Sequence, residues 1–179
     1  NYVHLMKYFD KVSTFDMVDA KTLNINYLPL FYIKKYENLE LSHDKIYDIV
    51  FFGSYHGDRL EVVKKVSFEC ERLGLNFKHH LFIPRLALLK RVLFFKIKFE
   101  DLKYLSTKSV STEEILESYK VTKAVLDIEN PEQNGLTMRT FEVLGAGLKL
   151  ITTNKKILDE QIYEKSSALV LNRGESKVD

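Results

Sequence analysis

YDIVFFGSYHGDRLEVVKKVSFECERLG, residues 47–74, decides the fold. Tyr47 to Gly53 is a short, nearly continuous apolar run, the pattern of a strand buried on both faces of a parallel sheet. From Asp58 to Leu73 the apolar residues switch to helical spacing (Leu60, Val63, Val66, Cys70, Leu73), and Gly74 stands where a C-terminal cap belongs. The expected unit is strand, turn, helix.

Downstream the alternation continues. Asn76 to Ile83 reads as a second strand, and Ser111, Thr112 and Glu114 open a capping box that starts a helix near residue 112. Ala124 to Glu129 (AVLDIE) is the next strand. The loop NPEQNG leads into a helix from about Leu136 to Ala146, followed by a strand from Lys149 to Thr153. A short helix near Leu158 to Tyr163 and a strand from Ala168 to Asn172 complete the pattern. Strands and helices in this order predict an α/β fold, a Rossmann-like parallel sheet with helices on both faces. Upstream, Lys11 to Phe15 reads as a short strand and Asp16 to Lys21 as a turn entering a brief helix. Asn26 to Tyr32 is extended, because Pro29 denies the α region to its predecessor, and the polar run Lys34 to Lys45 reads as a linker.

The bulk composition agrees. With 179 residues the chain suits one domain, or one domain and a connecting arm, and opening on Asn1 it reads as a portion of something longer. A composition 45% hydrophobic and 29% charged supports a folded core. The net charge of +2 is too small to argue for nucleic acid, so no nucleic-acid partner is expected. Cys70 is the only cysteine, which leaves no intrachain disulfide and points to a cytoplasmic setting. No apolar run reaches the roughly 18 residues that span a bilayer.

In such sheets ligands bind beyond the carboxyl ends of strands, where loops lead into helices. Two loops qualify. GSYHGDR, residues 53–59, has Gly53 and Gly57 for close backbone approach and His56 and Arg59 as donors for a phosphate. Its spacing fits neither G-x-G-x-x-G nor the P-loop, and a plain polar turn explains it equally well. The second loop, NPEQNGLTMRTFEVLGAGLKLITTN (residues 130–154), runs through Gly135 into a helix with no acid in its first turn. Amides of Leu136, Thr137 and Met138 there suit a diphosphate, with Arg139 as an added fork of donors. One turn on, Glu142 suits the two vicinal hydroxyls of a ribose. Gly145 and Gly147 would end the helix and let it pack closely on the sheet. Arg139 and Glu142 also stand i,i+3, which is compatible with a plain surface ion pair.

FEVLGAGLKLITTN resembles the donor-site pattern of GT-B glycosyltransferases. With YDIVFFGSYHGDR, FDKVSTFDMVDA and NYLPLFY, the chain resembles bacterial lipopolysaccharide and capsular polysaccharide glycosyltransferases related to the CgeB group. The resemblance implies the C-terminal, nucleotide-sugar-binding half of a GT-B fold over residues 46–179. Residues 1–45 would then be the end of the N-terminal domain and the interdomain connection. It implies Glu142 as the ribose ligand, Gly135 to Thr137 as the diphosphate-binding helix start, and Gly53 with Ser54 as the loop approaching the phosphates. The donor would be a nucleoside-diphosphate sugar with no further cofactor. The acceptor would be a glycolipid or polysaccharide, met in the cytoplasm or at the inner face of the plasma membrane. Many retaining members carry a further Glu eight positions before the ribose Glu. Here that position is Asn134, with Glu132 nearby, so the resemblance assigns neither a catalytic residue nor a stereochemical outcome. A non-catalytic nucleotide-binding or protein-interaction domain is the alternative on the same architecture.

Other constellations carry less. Asp127 and Glu129 alternate onto one strand face and mimic a metal-binding Asp-x-Asp, but no third ligand is evident and no metal is expected. His79 and His80 should point to opposite faces of their strand, and Cys70 belongs to the core. Between Pro84 and Lys98 the residues Arg85, Lys90, Arg91, Lys96 and Lys98 sit among large apolar side chains without an acid. A peripheral membrane contact would suit this composition, yet the five charges do not gather on one helix face, so the stretch reads as a half-buried helix.

Overall fold

The computed structural model describes residues 3–131, 135–160 and 167–173. A six-stranded, wholly parallel sheet organises the chain, in the spatial order β5–β4–β3–β6–β7–β8. Its strands are β3 (Tyr47–Ser54), β4 (Phe77–Phe82), β5 (Leu105–Ser106), β6 (Thr122–Asp127), β7 (Lys149–Thr152) and β8 (Ala168–Val170). Three strands run outward from β3 in one direction and three from β6 in the other, the order of a doubly wound Rossmann-like sheet. The chain therefore has the expected α/β fold.

Alternation of side chains divides the core in two. Val50, Phe52, Val125 and Leu150 point to one face, which α5 (Thr112–Lys120) and α6 (Met138–Gly145) cover with Leu116, Tyr119 and Val143. Phe51, Leu81 and Leu126 point to the other, which α3 (Arg59–Leu73) covers with Leu60, Val63, Val66 and Cys70. Local signals set the helix ends. Gly74 adopts φ 68° and returns its N–H to Cys70 and Glu71, closing α3. The Ser111–Glu114 capping box opens α5 with both reciprocal bonds in place.

The upstream segment forms a small parallel pair, β1 (Ser13–Thr14) and β2 (Asn26–Tyr27), around α1 (Met17–Leu23), whose first amides are capped by Asp16. It packs against loops at the edge of the larger domain. The Tyr27 hydroxyl donates to Glu160 at 2.9 Å, and Phe15 covers Gly135. A Cβ at Gly135 would stand 2.7 Å from the Phe15 ring and 2.9 Å from the Phe15 carbonyl oxygen. Because a backbone atom must yield, Gly135→Ala should cost about 1–3 kcal/mol. At roughly 2–4 °C per kcal/mol for a chain this long, the loss is visible in a thermal melt. An unchanged melting temperature would show that Phe15 does not seat there in solution.

Four expectations are corrected. The run Lys34 to Lys45 is not a bare linker: α2 (Lys34–Glu37) buries Tyr36 against Tyr119, an aromatic anchor in an otherwise polar stretch. Gly145 accommodates the ring of Tyr32, at 2.6 Å from where a Cβ would lie, rather than the sheet. The helix expected from Leu136 starts at Met138, because Thr137 turns extended and caps it. The short helix near Leu158 is a 3-10 turn, Lys155–Asp159, and the rest of that expectation, 161–163, lies outside the described residues.

Candidate functional site

The strand order reverses between β3 and β6, and at their carboxyl ends the diverging loops leave a cleft of about 460 Å3. Gly53 and Ser54 contribute one wall from the end of β3. Asp127 and Ile128 form the floor at the end of β6, and Thr137, Arg139 and Glu142 project from the first two turns of α6. Phe52, Phe82, Val110 and Ile115 make an apolar part of the lining, beside His80.

Asp127 is the keystone of the polar end. It is 4% exposed and accepts from both Thr137 Oγ1 (2.6 Å) and Thr140 Oγ1 (2.9 Å). Thr137 Oγ1 in turn accepts the Thr140 amide (3.2 Å), so one carboxylate fixes the start of α6 to the end of β6. Burial pushes the Asp127 pKa upward, against the two hydroxyl bonds and the nearby Arg139, which favour its charged form. Asn154, also buried, donates through Nδ2 to the Gly135 carbonyl at 3.0 Å and steadies the approach to the helix.

Two guanidinium groups flank this floor. Arg59 Nε donates to the Ile128 carbonyl (2.8 Å) and Nη1 to the Ser54 carbonyl (3.1 Å), tying the ends of the two central strands together. Burial draws the Arg59 pKa down, opposed by the Asp127 charge. Arg139 Nη1 donates to the Tyr119 hydroxyl at 2.7 Å, while its Nε lies 3.7 Å from Glu142 Oε2. Burial opposes the Arg139 charge, but Tyr119, Glu142 and Asp127 outweigh it and hold the pKa above the usual arginine value. The firm bond of Arg139 is thus to tyrosine, and its pairing with Glu142 is a looser charge contact. Tyr36 stands on the other side of Glu142. Burial and the neighbouring carboxylate push its phenol well above the ordinary value.

Of the residues singled out in the sequence, Gly53, Ser54, Arg59, Thr137, Arg139 and Glu142 line this one cleft. Gly135 and Leu136 are buried behind it, Gly135 under Phe15 and Leu136 in the core. His56 sits at the turn before α3, where burial lowers its pKa, and is not among the lining residues. Glu132 and Asn134 lie outside the described residues. Sequence reasoning missed Asp127 as an anchor of α6, Tyr119 as the partner of Arg139, and Tyr36 beside Glu142. A buried-strand Asp facing a T-x-x-T helix start was the one available signal.

The Asp127 and Glu129 carboxylates are held by separate networks. Glu129 accepts from Thr153 Oγ1 and pairs with Arg173 at 2.7 Å, and Arg173 also pairs with Asp58. Among the described residues no three His, Cys, Asp or Glu side chains gather as metal ligands. His79 packs beside Tyr104 while His80 faces Phe52, on opposite sides of β4 as expected. Comparison with protein-family models gives no match, and none of the curated proteins matches the chain.

Proposed function

We propose that the cleft binds a nucleoside-diphosphate sugar and that the chain is the donor-binding part of a glycosyltransferase acting on a lipopolysaccharide or surface polysaccharide. The observation that carries this reading is the grouping of Arg59, Arg139 and Glu142 around the start of α6 at the point where the strand order reverses. The first turn of α6 holds no acid, and its Met138 and Arg139 amides need partners from outside the helix. With the helix dipole and two guanidinium groups they suit a diphosphate. Glu142, one turn further, suits the ribose hydroxyls. The apolar lining of Phe52, Phe82 and Ile115 suits the flat face of a base. The resemblance to GT-B enzymes assigns Glu142 the same role.

In transfer, the acceptor's hydroxyl oxygen forms a bond to the sugar's anomeric carbon, the bond from that carbon to the β-phosphate oxygen breaks, and the diphosphate leaves with the electron pair. Arg139, Arg59 and the α6 amides are placed to stabilise that charge. The acceptor, and the base that takes its proton, are assigned to the facing domain that the resemblance implies.

Calorimetric titration with UDP, GDP, TDP and CDP in excess chelator tests the reading. At least one should bind at or below the millimolar range, with no loss on chelation. If none binds, the donor assignment fails. Binding that requires a divalent ion would overturn the metal-independent reading.

A further inference from the structure

α4 (Arg85–Leu93) differs from α3, α5 and α6 in having no buried residue. The half-buried helix expected here is therefore corrected. Leu88 and Val92 are partly covered on the side toward the domain, whereas Leu86, Leu89 and Leu93, spaced i, i+3, i+7, face outward and are 55–75% exposed. The chain then turns through Phe94, Phe95 and Phe99, also exposed, with Phe95 at φ +55° and 94% exposed. A left-handed backbone and a solvent-facing ring at one phenylalanine are both unfavourable in water.

The charges flanking this apolar stripe are mainly basic. At 100° per residue, Arg85 and Lys90 fall on its two flanks, and Lys96 and Lys98 follow beside the phenylalanines, all four exposed. The next acid along the chain is Glu100, which pairs with Lys98 at 3.6 Å with both side chains in solvent. Arg91 stands apart, stacked 4.9 Å over the Tyr55 ring, and so fixes α4 to the loop that follows Gly53 and Ser54. The stripe is consequently joined to the rim of the cleft.

We propose that α4 and the Phe94–Phe99 turn form a docking surface for an anionic lipid bilayer. Outward leucines and phenylalanines insert at the headgroup boundary, and Arg85, Lys90, Lys96 and Lys98 meet lipid phosphates. The basic surround is what selects this occupant: four exposed cations, Arg85, Lys90, Lys96 and Lys98, accompany the stripe against one exposed acid, Glu100, which is paired with Lys98. Docking would place the cleft beside the membrane. The proposal stands without the donor assignment.

Vesicle sedimentation of the full chain tests it, using phosphatidylcholine alone and phosphatidylcholine with about 30% phosphatidylglycerol. Binding to the anionic vesicles should exceed that to the neutral ones by at least about tenfold at low salt and fall steeply as salt rises. Leu89→Ser with Phe95→Ser, and separately Lys90→Glu with Lys96→Glu, should each abolish most of it. Both pairs are exposed, so circular dichroism and the melting temperature should match wild type. Absence of vesicle binding by well-folded wild-type protein overturns the proposal. So does a wild-type dimer that the serine pair converts to monomer while vesicle binding stays absent, which would make the patch a contact between copies.

Discussion

Glu142→Ala should weaken binding of the preferred nucleoside diphosphate by about 10- to 100-fold, the range expected for losing a charge-assisted hydrogen bond or a non-additive pair of them. The fold should survive the change. Arg139 keeps its 2.7 Å bond to Tyr119, so removing its looser partner at 3.7 Å does not set the guanidinium loose. A second measurement separates a ribose contact from a general electrostatic effect. Wild type should prefer the ribonucleotide over its 2′-deoxy analogue by about tenfold, one hydrogen bond's worth, and Glu142→Ala should bind the two equally. Removing a carboxylate beside a diphosphate would otherwise strengthen binding by relieving repulsion. Unchanged affinity in Glu142→Ala, or a deoxy preference that persists, would remove Glu142 from the ribose site.

The backbone architecture was legible because it depends on period and length. Tyr47 to Gly53 and Ala124 to Glu129 are apolar runs too short for helices, and the capping box at Ser111 and the glycine at 74 mark helix ends with local chemistry. Much of the cleft was legible for a related reason: loops at carboxyl ends of parallel strands converge whatever their sequence, and Gly53, Arg59, Arg139 and Glu142 stand on the strand end and helix starts that flank two such loops. What escaped was long-range pairing. Nothing local distinguishes Tyr36 from the polar residues around it, although it reaches the core cluster containing Tyr119 and Val143. Asp127 read as half of an Asp-x-Asp because strand alternation describes direction, and says nothing of the two threonines waiting ten and thirteen residues later. The α4 stripe was misjudged because helical spacing of leucines identifies an apolar face without saying whether protein covers it.

Asp127→Ala should be among the most destabilising single changes in the chain. Two hydroxyls, Thr137 and Thr140, lose their acceptor in a place where Thr140 and Asp127 are buried, and a cavity replaces the carboxylate. Unsatisfied buried groups cost about 1–3 kcal/mol each, so a loss of roughly 3 kcal/mol is expected. For a chain of this length that corresponds to a fall of about 6–12 °C in melting temperature. Asp127→Asn retains an acceptor oxygen and removes a buried charge, and should lose clearly less. The pH dependence distinguishes the two contributions. Burial raises the folded-state pKa of Asp127 above its unfolded value, so the folded state binds the proton more tightly. The resulting stabilisation is fully present below the unfolded carboxylate pKa and is lost as pH rises through the folded one. Denaturant unfolding across that acid-to-neutral window should therefore show the wild-type advantage over Asp127→Asn shrinking as pH increases. A constant difference would mean that the Asp127 pKa is the same in the folded and unfolded states. A difference that grows with pH would reverse the sign assigned to burial.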